Sequence, residues 1–141
     1  MAEYIANALQ TVEPNQNILF TDAPIKGGCS ILHRDGSGLF TLRGLQNKQC
    51  RSRFKVTFGA NLGIPTGGTV EAISVAIAIN GESVASTTMI VTPAAVEEFF
   101  NVGRSIYLDV PTGCCVQVSI KNTSTQAITV QNASLIVERE V

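Results

Sequence analysis

The sequence predicts an all-β protein, an antiparallel β-sandwich of about 8 to 10 short strands. Apolar residues recur at every second position through segment after segment, which is the period of a strand and not of a helix. Short clusters of Gly, Pro, Asn and Asp stand between these segments and turn the chain. No second domain, internal repeat or low-complexity tract interrupts the pattern.

Residues 1–16, MAEYIANALQTVEPNQ, precede the regular alternation. Tyr4, Ile5, Ala8, Leu9 and Val12 sit at helical spacing, and Pro14 ends the run. The segment reads as an N-terminal arm that packs on a neighbour or on the rim of the domain, residues 17–141.

From Asn17 the period is two. NILFT (17–21) is a short strand. GGCSILHR (27–34) follows a Gly-Gly break and sets Cys29, Ile31 and His33 on one side. GLFTLRG (38–44) lies between glycines. RSRFKVTFGA (51–60) is the clearest half-exposed strand, with Phe54, Val56 and Phe58 facing one way and Arg51, Arg53, Lys55 and Thr57 the other. NLGIPTGG (61–68) is a loop. TVEAISVAIAI (69–79) is the longest strand. Asn80-Gly81 follows it as a two-residue hairpin signal, and ESVASTTMIV (82–91) returns antiparallel.

TPAAVEEFF (92–100) departs from the alternation. Thr92 suits a cap and Pro93 a first helical position, which predicts one short helical turn near 93–100. RSIYLDV (104–110) is a strand closed by Pro111-Thr112-Gly113. CCVQVSI (114–120) turns Val116, Val118 and Ile120 inward, and KNTSTQA (121–127) is a polar hairpin loop. In ITVQNASLIVERE (128–140) the apolar set is even at Ile128 and Val130, then odd at Ala133, Leu135 and Val137. That one-residue slip requires a bulge, placed at Gln131–Asn132.

Composition narrows the function. Net charge is −1, so no basic field points to nucleic acid. Charged residues are 15% of the chain, against roughly 25% in ordinary soluble domains. Mean hydropathy is +0.23, yet no apolar run approaches the roughly 18 residues of a membrane-spanning helix. With no Trp, six Phe and two Tyr, aromatic girdles of a membrane barrel are not expected either. MAEYIANALQ lacks a basic start and a continuous apolar core, so the expectation is synthesis and folding in cytoplasm. Cys29, Cys50, Cys114 and Cys115 then read as reduced, mostly buried thiols.

The inventory for catalysis is thin. His33 is the single histidine and lies inside a strand among apolar residues, which makes it structural. Glu97-Glu98 point about 100° apart on a helical turn and read as solvated charge. Glu138 and Glu140 share a strand face near the end. No C-x-x-C or H-E-x-x-H occurs, and Cys29 and His33 on one strand would stand roughly 13 Å apart. No cofactor or metal is expected. Asn122-Thr123-Ser124 and Asn132-Ala133-Ser134 match the glycosylation pattern, which is idle in cytoplasm. Arg51, Arg53 and Lys55 form a basic row, with Arg43 and Lys48 near in sequence. This row is a candidate contact for an anion or a partner, against the plainer reading of a solvated or ion-paired face.

The longest strand carries one anomaly. Its even positions Ala72, Ser74, Ala76 and Ala78 are all small. A small face permits close approach of another layer, so these four are candidates for a packed or subunit interface, while Ile73, Val75, Ile77 and Ile79 fill the core.

The GLFTLRG strand, the basic-and-Phe strand RFKVTFGAN and the C-terminal run VPTGCCVQVSIKNTSTQAITVQNASLIVERE show a VP-x-G turn, an alternating strand, an N-x-S/T loop and a final A-x-L-x-V strand. Over residues 17–141 this resembles the tumour-necrosis-factor and complement-type jelly roll, in the flavour of small phage and bacterial versions on virions and spore surfaces and in gut Firmicutes and their phages. The resemblance implies a homotrimer that acts by binding or by forming a shell, and not by catalysis. Phe99, Phe100 and Tyr107 are then the candidates for an aromatic subunit contact. The function expected is that of a phage or prophage virion component, of the capsid-decoration or head-fibre kind, with the N-terminal arm on the capsid shell. The alternative is a bacterial or spore surface module that recognises carbohydrate or protein.

Overall fold

The computed structural model describes residues 1–44, 51–113 and 115–140. Cys50, Lys48 and Cys114 lie outside the described residues. Twelve strands appear among the described residues: β1 (Ala2–Ala6), β2 (Gln10–Val12), β3 (Asp22–Ile25), β4 (Ile31–His33), β5 (Phe40–Arg43), β6 (Arg51–Gly63), β7 (Ile73–Ile79), β8 (Glu82–Ser83), β9 (Met89–Val91), β10 (Phe100–Pro111), β11 (Cys115–Asn122) and β12 (Ile128–Glu140). One sheet has the order β10-β6-β12-β1-β3, with β2 also on β12. The other has the order β4-β5-β11-β7-β8, with β9 also on β7. The strand pairs are antiparallel, and the two sheets form the predicted sandwich.

Alternation builds the core. On β6, Phe54, Val56, Phe58, Ala60 and Leu62 are buried, while Arg53, Lys55, Thr57, Gly59 and Asn61 between them are half-exposed. Opposite them in the core stand Ile73, Val75 and Ile77 of β7 and Val116, Val118 and Ile120 of β11. Each fully buried branched side chain contributes about 1.5–3 kcal/mol, so these periodic segments dominate the energetics of the fold. Asn80 (φ 53) and Gly81 (φ 84) both take the left-handed conformation that a two-residue hairpin demands, and β8 pairs back on β7. The β12–β6 register shifts between Gln131 and Ser134, with Asn132 at φ 55, so the expected bulge is present.

Several expectations fail: residues 17–21 form no strand beyond an isolated bridge at Asn17, and β7, with 7 residues, is shorter than β6 and β12 with 13 each. The helical spacing of residues 1–16 gives no helix: Ala2, Tyr4 and Ala6 are buried, and β1 runs between β12 and β3. Ile5 on the other side hides the period of two, and Leu9, part of the helical spacing, is exposed. Nor does a helix form near 93–100. The segment is bends and turns, with Glu97 at φ 61 and its amide bonded to Ile64 O at 2.7 Å. A tertiary tie to the Ile64–Thr66 loop overrides local helix propensity there. Among the described residues the one helical turn is 3₁₀, at Ala85–Thr87, inside the returning arm of the hairpin.

Candidate functional site

The outward face of the first sheet is the most differentiated surface. Register sets residues side by side across β10, β6 and β12, and directly opposed residues share a face. At one end stand Asp109 and Arg53, then Tyr107, Lys55 and Glu138. Next come Ser105, Thr57 and Ile136, then Gly103, Gly59 and Ser134. Last is an amide row of Asn101, Asn61 and Gln131. The face thus passes from charged to bare to amide-lined.

Arg51 and Arg53 both turn to Asp109. Arg53 donates from Nε at 2.8 Å and from Nη2 at 3.2 Å to the two carboxylate oxygens, and Arg51 Nε lies 3.4 Å away. This fork geometry is the strong form of an Arg–carboxylate contact. The Arg53 contacts, aided by Arg51, hold the Asp109 carboxyl below its ordinary range. Lys55 Nζ stands 5.8 Å from the centre of the Tyr107 ring, within cation–π reach. The basic row is therefore engaged by groups of its own chain. A shallow hollow of about 420 Å³ lies over Arg53, Tyr107, Leu108 and Asp109.

At the other end of the face, Asn101 Nδ2 donates to Asn61 Oδ1 at 3.1 Å and to Ala60 O at 3.3 Å. Phe99 lies against Gly63, where an added Cβ would come 3.1 Å from its ring. Phe99, Phe100 and Tyr107 are all exposed, Tyr107 at 60%. Among the described residues, strand β10, which carries the last two, is the edge of the sheet and pairs within it only with β6.

The small row lies elsewhere, on the outside of the second sheet, and the chain itself closes most of it. Ala76 and Ala78 are fully buried within one chain. Lys121 stands opposite Ala76 and Ser119 opposite Ala78, and Lys121 Nζ reaches Gly81 O at 2.6 Å. Ser119 is buried together with Ala78. Ser74 is covered by the loop after β11: its hydroxyl is 2.6 Å from that of Thr123, and its amide donates to Ser124 Oγ at 2.7 Å. Ala72 alone is exposed. Ala76 and Ala78 are sealed within one chain and need no second subunit to bury them.

The other singled-out residues are placed as follows. His33 stacks on Phe40 with ring centres 4.1 Å apart and 12° between planes, and Tyr4 is 4.7 Å away. Cys29 and Cys115 are exposed, contrary to the expectation of buried thiols. Cys29 lies in the loop before β4, and Cys115 alternates outward beside the inward Val116. Asn122 is fully buried and donates to Val12 O and Gln126 O at 2.9 and 3.0 Å, so it is closed to modification, while Asn132 is exposed. Among the described residues no cluster of His, Cys, Asp and Glu is placed to hold a metal, and no helix is long and apolar enough to cross a membrane.

No protein-family model and no curated protein matches the chain. Solved structures do. The globular domain of zebrafish complement 1qA protein superposes with a TM-score of 0.55 at 10% identity, covering 96% of this chain and 94% of that one. The fold is a complement-type jelly roll. Weaker likenesses are to the C-terminal domain of EclA, described as a sugar-binding protein, with a TM-score of 0.42, 13% identity and coverage of 94% and 80%. An Arthrobacter globiformis T6 isomalto-dextranase gives 0.39 and 14%, with this jelly roll spanning 94% of its own length and 22% of that chain.

Proposed function

We propose that this jelly roll is a non-enzymatic assembly module, a homotrimer that serves as a virion component of the capsid-decoration or head-fibre kind. One observation carries the reading. Among the described residues, strand β10 runs twelve residues along the edge of its sheet, is hydrogen-bonded within it only to β6, and bears exposed Phe100 and Tyr107, with Phe99 just before it. A long edge with exposed aromatics is a pairing hazard unless another chain or element covers it. The uncharged stretch of the adjoining face, from the amide row to Ser105 and Thr57, suits a second copy better than a charged ligand. The number three follows from the resemblance to tumour-necrosis-factor and complement-type proteins. On this reading, contact with a capsid shell uses the outward side of the N-terminal segment, with exposed Thr11 on β2 and exposed Leu9 just before it, in place of a free arm.

Mass measured in solution at neutral pH, with and without reductant, tests the reading. A particle of three 14.9 kDa chains is expected in both conditions. A monomer at micromolar concentration overturns it, and a multimer that falls apart in reductant assigns the assembly to the exposed thiols instead.

A further inference from the structure

We propose that His33 is a proton-operated clasp, in which the ring's second hydrogen bond, to Phe20, exists only while both ring nitrogens carry hydrogen. Nδ1 of His33 lies 3.0 Å from Leu39 O and Nε2 lies 3.2 Å from Phe20 O. Both partners are main-chain carbonyls, which accept and never donate. A neutral imidazole has one N–H and one lone pair, so it satisfies one carbonyl and sets its lone pair against the other. The imidazolium satisfies both. The ring lies flat on Phe40 and close to Tyr4, which fix its orientation.

The geometry says which bond gives way. Phe20 O already accepts the Gly36 amide at 2.8 Å, so a ring hydrogen is spared more easily there than at Leu39. The neutral ring keeps its hydrogen on Nδ1, toward Leu39 O, and leaves the Nε2 lone pair facing Phe20 O. That oxygen is a joint of the fold. It ties the segment before β3 to the tight turn after β4, which is closed by Ser37 N to Arg34 O at 2.9 Å and by Phe20 N to Ser37 O at 3.1 Å. Repulsion at Nε2 pushes on the oxygen that also holds Gly36, so the turn loosens as the proton leaves. The charged and titratable groups around the ring are Tyr4 from β1, Lys26 from the loop before β4 and Asp35 from the turn. All three line one cleft of about 300 Å³ with His33, and Arg34 lines the neighbouring groove. They are of mixed sign, and the two ring contacts go past them to the main chain.

Nitrogen NMR of the full-length chain, followed from about pH 5 to about pH 8, reads the clasp directly. Expected at the acid end are two protonated ring nitrogens, with the Nε2 hydrogen protected from exchange. Expected at the basic end is the Nδ1–H tautomer. After correction for the chemical pH dependence of exchange, the Gly36 amide should exchange on the order of tenfold faster at the basic end, as loss of a charge-assisted hydrogen bond implies. His33→Gln should abolish that pH-dependent part. An Nε2–H tautomer at the basic end overturns the proposal, and so does Gly36 protection that follows pH equally in both proteins. Should His33→Gln fail to fold, the ring measurement on the unaltered chain decides alone.

Discussion

Gly59 and Gly103 stand directly opposite each other in the β6–β10 ladder, each in the middle of a long strand. Neither takes a positive φ, and an added Cβ would meet its nearest neighbour at 3.7 Å for Gly59 and 3.4 Å for Gly103. A single chain has no use for glycine at either place, and glycine within a strand costs about 0.5–1 kcal/mol relative to alanine. Bare backbone here lets another chain come close. Gly59→Ala should therefore stabilise the isolated fold by about 0.5–1 kcal/mol in urea unfolding while weakening self-association in solution. Stabilisation with unchanged association would move the subunit contact off this face.

Asp109 gives a prediction in pH. Its carboxyl is held below the ordinary range by Arg53 and Arg51, so the folded state binds its proton less readily than the unfolded chain. The stabilisation is complete above the ordinary carboxylate range and is lost as pH falls through the depressed folded value. All three side chains are about 40% exposed, so the effect is small and screened by salt. Urea midpoints measured from neutral to acid pH should fall more steeply for the native chain than for Asp109→Asn, and the gap should narrow in high salt. Parallel curves would show that the Arg53–Asp109 pair contributes nothing.

How far these features were legible depends on whether their cause lies in neighbouring residues. The β6 alternation, the Asn80-Gly81 hairpin and the bulge at Gln131–Asn132 are local, and the structure follows each. The N-terminal strand was hidden because Ile5 and the exposed Leu9 complete a false helical stripe beside Ala2, Tyr4 and Ala6. Pro93-Ala94-Ala95 speaks for a helix only until the Ile64–Glu97 tie is made, from more than thirty residues away. The smallness of the Ala76–Ala78 row was plain, but not its neighbours: Lys121 stands opposite Ala76, and Ser74 is roofed by Thr123 and Ser124. Phe99, Phe100 and Tyr107 were singled out only through the family resemblance, and all three are exposed. The partners of His33 were not, because carbonyls of the main chain leave no mark on residue type.

The small row separates packing from assembly. Ala76 has no exposure in a single chain, so an arginine there must force its charge into a closed position. Ala76→Arg should cost about 3 kcal/mol or more of folding stability. Ala72→Arg, on the exposed end of the row, should stay within about 0.5 kcal/mol and leave the solution mass unchanged. Denaturant midpoints and mass on the two variants check both statements. A neutral Ala76→Arg would mean that the row is wetted, and a dissociating Ala72→Arg that it is a subunit seam.

Thr87 does the work of a main-chain group. Between β8 and β9 the 3₁₀ turn lifts the backbone away from β7, and the Thr87 hydroxyl takes up the position. Oγ1 accepts the Ile77 amide at 2.9 Å and donates toward Val84 O at 2.7 Å, all but fully buried. Thr87→Val keeps the volume and removes the oxygen, which strands the buried Ile77 N–H and should cost about 1–3 kcal/mol. Thr87→Ser keeps the oxygen and gives up one methyl, for a loss of about 0.8 kcal/mol. Equilibrium unfolding should therefore rank the native chain above Thr87→Ser and Thr87→Val last. The reverse order would mean that the methyl, buried under the hairpin, matters more than the hydrogen bond, and that β7 finds another donor or acceptor at this edge.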